Sequence, residues 1–311
     1  MNRYFVCILS IWFCACLNLP TLARGAAADE QPAQPPESTG TETKKIGLLK
    51  KLKGNDPSYF VYARDNNSSF DHIEFYLSVE YPMLEGSIHR LFGLNTDLYF
   101  NYNGKFDFYL EKRYSSPVIS RQQNPGAMFE YRLHQPSYGL SAIKTGYFHE
   151  SNGQTIDTAE DYATTENAQD FVSRGWDYIP LELKFEFPEK LPGFSLYLKG
   201  RYFLPKQLLL MNDKEDTIFW DTADDSKIED YAGLSLLIRS QTLVDNRYIE
   251  GFKLAAIYRT GYTDFNLSQR YEATFRTLGL PLYIFYFSGY GNEISDYQER
   301  GYTLGVGVEF W

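Results

Sequence analysis

The chain has 311 residues, a formal net charge of -10 and 17% aromatic residues, among them 26 Tyr and 23 Phe. Its mean hydropathy of -0.40 and the lack of a long apolar run after the N-terminus argue against a helical membrane protein, and the acid excess argues against nucleic acid as a partner. These figures do fit a chain whose strands alternate lipid-facing and lumen-facing residues. Such strands average to a hydrophilic-looking sequence, and interfacial aromatic girdles account for the Tyr and Phe.

In chain order, Arg3, an apolar stretch from Tyr4 to Leu19 and small residues including Ala23 and Ala26-Ala27-Ala28 predict a secretory signal peptide over 1–28. Cleavage after Ala23 and after Ala28 both remain open. Cys7, Cys14 and Cys16 all fall inside this segment, so the mature chain is expected to have neither disulfides nor thiolate metal sites. Bulky Phe13 and Leu17 beside Cys16 disfavour a lipoprotein signal. Residues 29–56 begin with a polar, proline-rich run (Glu30, Gln31, Pro32, Pro35, Pro36) that has almost nothing to bury, and are expected to form a flexible periplasmic tail.

From residue 57 to 311 the dominant signal is period-two alternation. Ile73, Phe75, Leu77, Val79 and Tyr81 alternate with Glu74, Tyr76, Ser78 and Glu80. Leu98, Phe100, Tyr102, Gly104, Phe106 and Phe108 alternate with Asp97, Asn101, Asn103, Lys105 and Asp107. Because that parity passes unbroken through Asn103-Gly104, it predicts one long strand rather than a hairpin. Further strands are expected near 58–64, 126–133, 138–150, 175–187, 194–204, 229–239, 249–261, 270–277, 281–290 and 301–311. The fold class is therefore all-β, a single transmembrane antiparallel barrel of about twelve strands in a bacterial outer membrane. Long connections at 115–125, 152–174 and 205–228 fall on one side, and short ones at 134–137, 188–193 and 278–280 on the other, as outer-membrane barrels arrange their outer loops and periplasmic turns. A soluble sandwich or lipocalin-like barrel also alternates, but the rows opposite the apolar ones here are rich in Glu, Lys, Arg and Tyr, as a hydrated lumen requires.

Two segments carry candidate chemistry. On the strand ending in His149-Glu150-Ser151-Asn152-Gly153, His149 and Ser151 share a face with Ile143 and Tyr147, while on the strand after Ser173-Arg174-Gly175-Trp176, Asp177 shares a face with Ile179, Leu181 and Leu183. If the two strands pair, Asp177 lies beside His149, with Ser151 next along the strand. Acid, base and nucleophile then form an acyl-transfer set: His149 takes the proton of Ser151, Asp177 orients the imidazole, and Gly153 offers a backbone N–H to an oxyanion. Taken singly, these residues are unremarkable, since Asn-Gly is a common turn dipeptide and a strand histidine is usually a polar rim residue. Three polar residues on apolar faces near one membrane edge are the signal.

The segments Gly146–Gly153, Ser173-Arg174-Gly175-Trp176-Asp177, Ser115-Ser116-Pro117 and Ser288-Gly289-Tyr290-Gly291 through Tyr297 to Gly305–Val308 resemble those of the outer membrane phospholipase A family. The resemblance implies hydrolysis of acyl ester bonds of membrane glycerophospholipids (A1, A2 and lysophospholipase activity) by a calcium-dependent enzyme active as a homodimer. It assigns His149 as base, Ser151 as nucleophile and Gly153 as oxyanion donor. The best-known members carry Asn where this chain has Asp177, so a Ser-His-Asp variant is expected. Carried over, the family's calcium ligands fall on Ser115 (from the facing subunit), the carbonyl of Gln154, and Ser173. Asp157 is the best-placed acid of a loop that also holds Glu160, Asp161, Glu166 and Asp170. The competing reading is a catalytically silent barrel that serves as a pore or structural protein.

Overall fold

The computed structural model describes residues 52–66, 71–84, 96–109, 118–133, 139–156, 158–166, 168–188, 190–204, 227–244, 246, 248–262, 264–295 and 297–310. The expected signal segment and the tail as far as residue 51 lie outside the described residues, as do Ser115 and Asp157.

Thirteen strands form one antiparallel sheet: β1 (Lys53–Gly54), β2 (Tyr59–Asp65), β3 (Asp71–Leu84), β4 (Thr96–Phe108), β5 (Val118–Arg132), β6 (Leu140–Ser151), β7 (Gly175–Glu186), β8 (Phe194–Phe203), β9 (Leu234–Leu243), β10 (Ile249–Thr260), β11 (Ser268–Thr277), β12 (Leu280–Tyr290) and β13 (Arg300–Glu309). Each strand from β2 onward pairs with the next, and β13 pairs back onto β2, Glu309 opposite Tyr59 and Thr303 opposite Asp65. The twelve long strands thus close a barrel with no free edge. The two-residue β1 adds to β3 at Glu80 and Val79. The described end of the expected tail is therefore tied to the barrel, and Asp56 reaches Arg239 of β9 at 3.2 Å.

Alternation explains both faces. On β2, Tyr59, Val61 and Ala63 are buried inward while Phe60 and Tyr62 are exposed; on β12, Tyr283, Phe285 and Phe287 are buried while Leu282 and Ile284 are exposed, as are Leu304 and Val306 of β13. An apolar row of this kind would be costly against water and is at ease against acyl chains. Inside, Tyr59 stacks on Tyr283 at 4.7 Å, Arg270 lies 3.7 Å from the Phe285 ring centre, and a Cβ at Gly305 would run into that same ring. Lys105 sits 3.1 Å from Asp107 and donates to the Asn292 carbonyl at 2.9 Å, tying the β12–β13 connection into the lumen.

The long strand through Asn103-Gly104 is borne out by β4. Two boundaries differ from expectation. β5 starts at Val118 instead of 126, so the expected 115–125 loop is largely strand. Gln122-Gln123-Asn124-Pro125-Gly126 reads as turn chemistry, yet it pairs fully with β4. The proline is tolerated because the ladder to β6 lapses at Asn124 and Pro125, between Gln123↔Ser151 and Gly126↔Phe148. The strand expected over 229–239 is a short helix, α2 (Glu229–Ala232), followed by β9. A second helix, α1 (Ala159–Thr164), lies earlier, in the β6–β7 connection. The N–H of Tyr262 bonds the Glu229 carbonyl at 3.1 Å, which fixes the α2 turn against the β10 end.

Candidate active site

The β6–β7 hairpin sets the site. Its register places His149 opposite Asp177 and Ser151 opposite Gly175. Nδ1 of His149 lies 2.9 Å from Oδ1 of Asp177, with side-chain exposures of 14% and 0%. Both belong to the outward row, which continues from Asp177 to exposed Ile179 and Leu181. A buried carboxylate on such a face needs a polar companion, and the imidazole provides one. Because Asp177 engages Nδ1, Nε2 is the nitrogen left for Ser151. The serine stands two residues on along the same face, about 7 Å between Cα atoms, a gap that an imidazole and a hydroxyl can bridge.

The inward face holds these strands in place. Phe148 stacks on Tyr178 at 5.6 Å, and Tyr178 meets Phe203 at 5.6 Å. Glu150, between the two outward residues, accepts from Gln122 and lies 3.4 Å from Arg201. Tyr178 accepts from Asn124 at 2.8 Å. Opposite His149 the strand β5 presents Pro125 and no ladder bond, so the imidazole is positioned mainly from the β7 side and from within the lumen.

Beyond Ser151 the buried side chain of Asn152 ties the two arms of the connection together. Its Oδ1 accepts the N–H of Arg174 at 2.9 Å and of Gln154 at 3.3 Å, and its Nδ2 donates to the Val172 carbonyl at 2.7 Å. Gly153 adopts φ +58°, the left-handed region, and a Cβ there would meet nothing within 4 Å, so backbone conformation and not space calls for glycine. None of the Asn152 bonds uses the Gly153 N–H. On the other side, Nη2 of Arg121 donates to the Gly153 carbonyl at 3.0 Å.

Of the expected calcium ligands, Gln154 and Ser173 lie on facing arms joined by Ile156 N–H to the Phe171 carbonyl (2.9 Å) and Ser173 N–H to the Ile156 carbonyl (2.7 Å). A carbonyl and a hydroxyl so placed are hard oxygen donors, and their chemistry fits calcium. Glu160 and Asp161 form the first turn of α1, where Asp161 Oδ2 accepts from the Thr158 hydroxyl at 2.7 Å. His72 is fully buried in the lumen with Glu74 and Asp107; the Lys105 ammonium, 3.6 Å and 3.1 Å from the two carboxylates, balances that group.

A family model described as phospholipase A1 matches residues 51–310. The chain belongs to the phospholipase A1 family. The membership expected from the segments around His149 and Asp177 is thus borne out. No curated protein sequence matches the chain. Among solved structures, the outer membrane phospholipase A from Escherichia coli is 20% identical, with 88% of this chain and 94% of that chain covered and a TM-score of 0.63. The Salmonella typhi outer membrane phospholipase, solved as a dimer with bound calcium, is likewise 20% identical, with 87% and 94% covered and a TM-score of 0.63. This phospholipase therefore has the barrel of the outer-membrane phospholipases.

Sequence reasoning missed Arg121 and Asn152. Arg121 falls in the stretch that the sequence predicts as a loop, and Asn152 forms half of a common turn dipeptide. The spacing of Arg121 from Phe129 and Tyr131 on one parity was the available sign that it shares the outward face.

Proposed function

We propose that this chain is a calcium-dependent phospholipase of the outer membrane that hydrolyses acyl esters of glycerophospholipids through Ser151, His149 and Asp177, and that it acts as a homodimer. The observation that carries the reading is the 2.9 Å His149–Asp177 contact on the lipid-facing wall, two residues along β6 from Ser151.

Nε2 of His149 accepts the proton of Ser151 as Oγ attacks the ester carbonyl carbon, and Asp177 stabilises the imidazolium through Nδ1. The Gly153 N–H receives the oxyanion, a preorganised donor worth roughly 3 to 4 kcal/mol. Collapse of the tetrahedral adduct breaks the ester C–O bond, and His149 passes its proton to the departing lysophospholipid oxygen. Water then attacks the acyl-Ser151 ester with His149 again as base, which releases the fatty acid and restores the serine. The Gln154 carbonyl and the Ser173 hydroxyl, with Asp157 and with Ser115 contributed across the dimer, would hold a calcium ion, which when bound would supply positive charge to stabilise the oxyanion. Access from the membrane side suits a substrate whose ester lies at the bilayer surface.

Fatty-acid release from defined phospholipid micelles, with and without calcium, tests the reading. Release is expected from the unaltered protein with calcium, together with covalent labelling of Ser151 by a sulfonyl fluoride. Undiminished hydrolysis by Ser151→Ala would overturn the assignment.

A further inference from the structure

Arg121 stands at the site without a role in the chemistry above. On β5 the outward parity is marked by exposed Phe129 and Tyr131, and Arg121 shares it. Gln123 pairs with Ser151, so the same register continued brings Arg121 opposite Gly153, where Nη2 meets the Gly153 carbonyl at 3.0 Å. The guanidinium is therefore fixed two residues beyond the proposed nucleophile, toward the loop end of the barrel.

That direction has a chemical meaning in a bilayer. Ser151 is the last residue of β6, while the apolar row of Ile179 and Leu181 runs from the site toward the middle of the wall. A glycerophospholipid with its acyl chains along that row and its ester at Ser151 has its phosphate on the loop side. Two residues along a strand span about 7 Å, and the glycerol backbone carries the phosphate from the ester over a distance of the same order. Arg121 forms no ion pair with any described carboxylate; its Nε is buried away from the surface without a hydrogen-bond partner among the described residues, so the donors that can meet a ligand are those at the guanidinium tip. A cationic guanidinium anchored through one terminal nitrogen and paired with no carboxylate is suited to a phosphodiester.

We propose that Arg121 is the phosphate-recognising residue of the site, its guanidinium held on the Gly153 carbonyl and paired with the phosphodiester of the lipid whose ester Ser151 attacks. The inference rests on the proposed chemistry at Ser151. It gives this chain a preference for phosphate-bearing esters over neutral glycerides with the same acyl chains.

The test uses full-length protein in uncharged detergent micelles with calcium. It compares kcat/KM for a phosphatidylcholine and for a diacylglycerol of the same acyl chains, in the unaltered protein, Arg121→Met and Arg121→Lys. Arg121→Met is expected to lower the phospholipid to diacylglycerol ratio about tenfold, through KM more than kcat, and Arg121→Lys to restore part of it. Equal losses on both substrates would show a clamp on the Gly153 turn and overturn the proposal, as would no loss on either. Retention of the ratio effect in phosphate-free buffer, with no rescue by added inorganic phosphate, ties it to the lipid's own phosphate; a ratio set by added inorganic phosphate overturns that. If the unaltered protein cleaves neither substrate, the chemistry at Ser151 has failed, a result distinct from a ratio that Arg121 does not control.

Discussion

Asp177 faces lipid by its parity and yet its side chain is fully buried, with His149 Nδ1 2.9 Å from its Oδ1. The negative charge is tolerated there by what it touches, so altering it separates the electrostatic contribution from the positional one. Asp177→Asn keeps an acceptor for Nδ1–H but gives up the charge that steadies the imidazolium. Because the best-known members of the family this chain resembles carry Asn at this position, a fall in kcat of about tenfold is expected, well short of the roughly 10⁴-fold of an Asp-to-Asn change in a serine-protease triad, and a larger fall for Asp177→Ala, which leaves the ring unoriented. The Asn variant should match or exceed the unaltered barrel in thermal midpoint, since an amide costs less to bury than a carboxylate. Initial rates on phospholipid micelles and a thermal melt check both halves.

Asn152 gives two backbone N–H groups their acceptor and holds a third group, the Val172 carbonyl. Asn152→Ala removes all three bonds at once, at roughly 1 kcal/mol each. The Gly153 turn and the spacing of Gln154 from Ser173 should loosen together. A drop in kcat of tenfold or more is expected, with a weakened calcium response seen as a shift of the activating concentration; an unchanged calcium midpoint would separate Asn152 from the ion's ligands.

In the β12–β13 connection, Glu293 accepts from the Tyr109 hydroxyl at 2.6 Å, and burial holds its carboxyl above the ordinary glutamate range against the opposing pull of Lys105. The folded state thus binds a proton that the unfolded chain has already lost. Stability from this group is present at low pH and falls as pH rises from the unfolded glutamate value, about 4.3, through the raised folded one. Glu293→Gln should raise the thermal midpoint at neutral pH and leave it unchanged near pH 4. Melts at the two pH values decide it; an equal shift at both would rule out titration of this residue as the cause.

The lumen is crossed by Asp56–Arg239 and Lys105–Asn292 and keeps an internal cavity of about 540 Å³. A barrel filled in this way should not sustain large steady conductance in a planar bilayer. Asp56→Ala, which frees Arg239 from the segment beside β1, should increase brief openings without reducing ester hydrolysis. A large steady current from the unaltered protein would favour the pore.

The strands were legible because lipid and lumen impose opposite demands on successive side chains. That alternation survived Asn103-Gly104, where local turn chemistry pointed the other way. It failed where tertiary pairing overrides local preference: Pro125 and Gly126 look like a turn and instead sit in β5, because the barrel wall lacks a ladder bond at that point. The pairing of His149 with Asp177 could be anticipated from parity alone. Arg121 could not, since its relevance depends on which strand stands beside β6, and Asn152 could not, since two of its three partners, the Arg174 N–H and the Val172 carbonyl, lie about twenty residues along the chain.

The seam where Glu309 meets Tyr59 joins the two extremes of the cylinder wall. The hairpin carrying His149 and Asp177 needs only its own neighbours to find register, while the wall as a whole waits for the final strand to arrive. Assembly therefore has an intrinsic order, in which the His149–Asp177 contact can be in place before there is an enclosed interior behind it. Loss of β13 would leave β2 and β12 each with an open edge, and would fail the enzyme without touching any group that meets substrate.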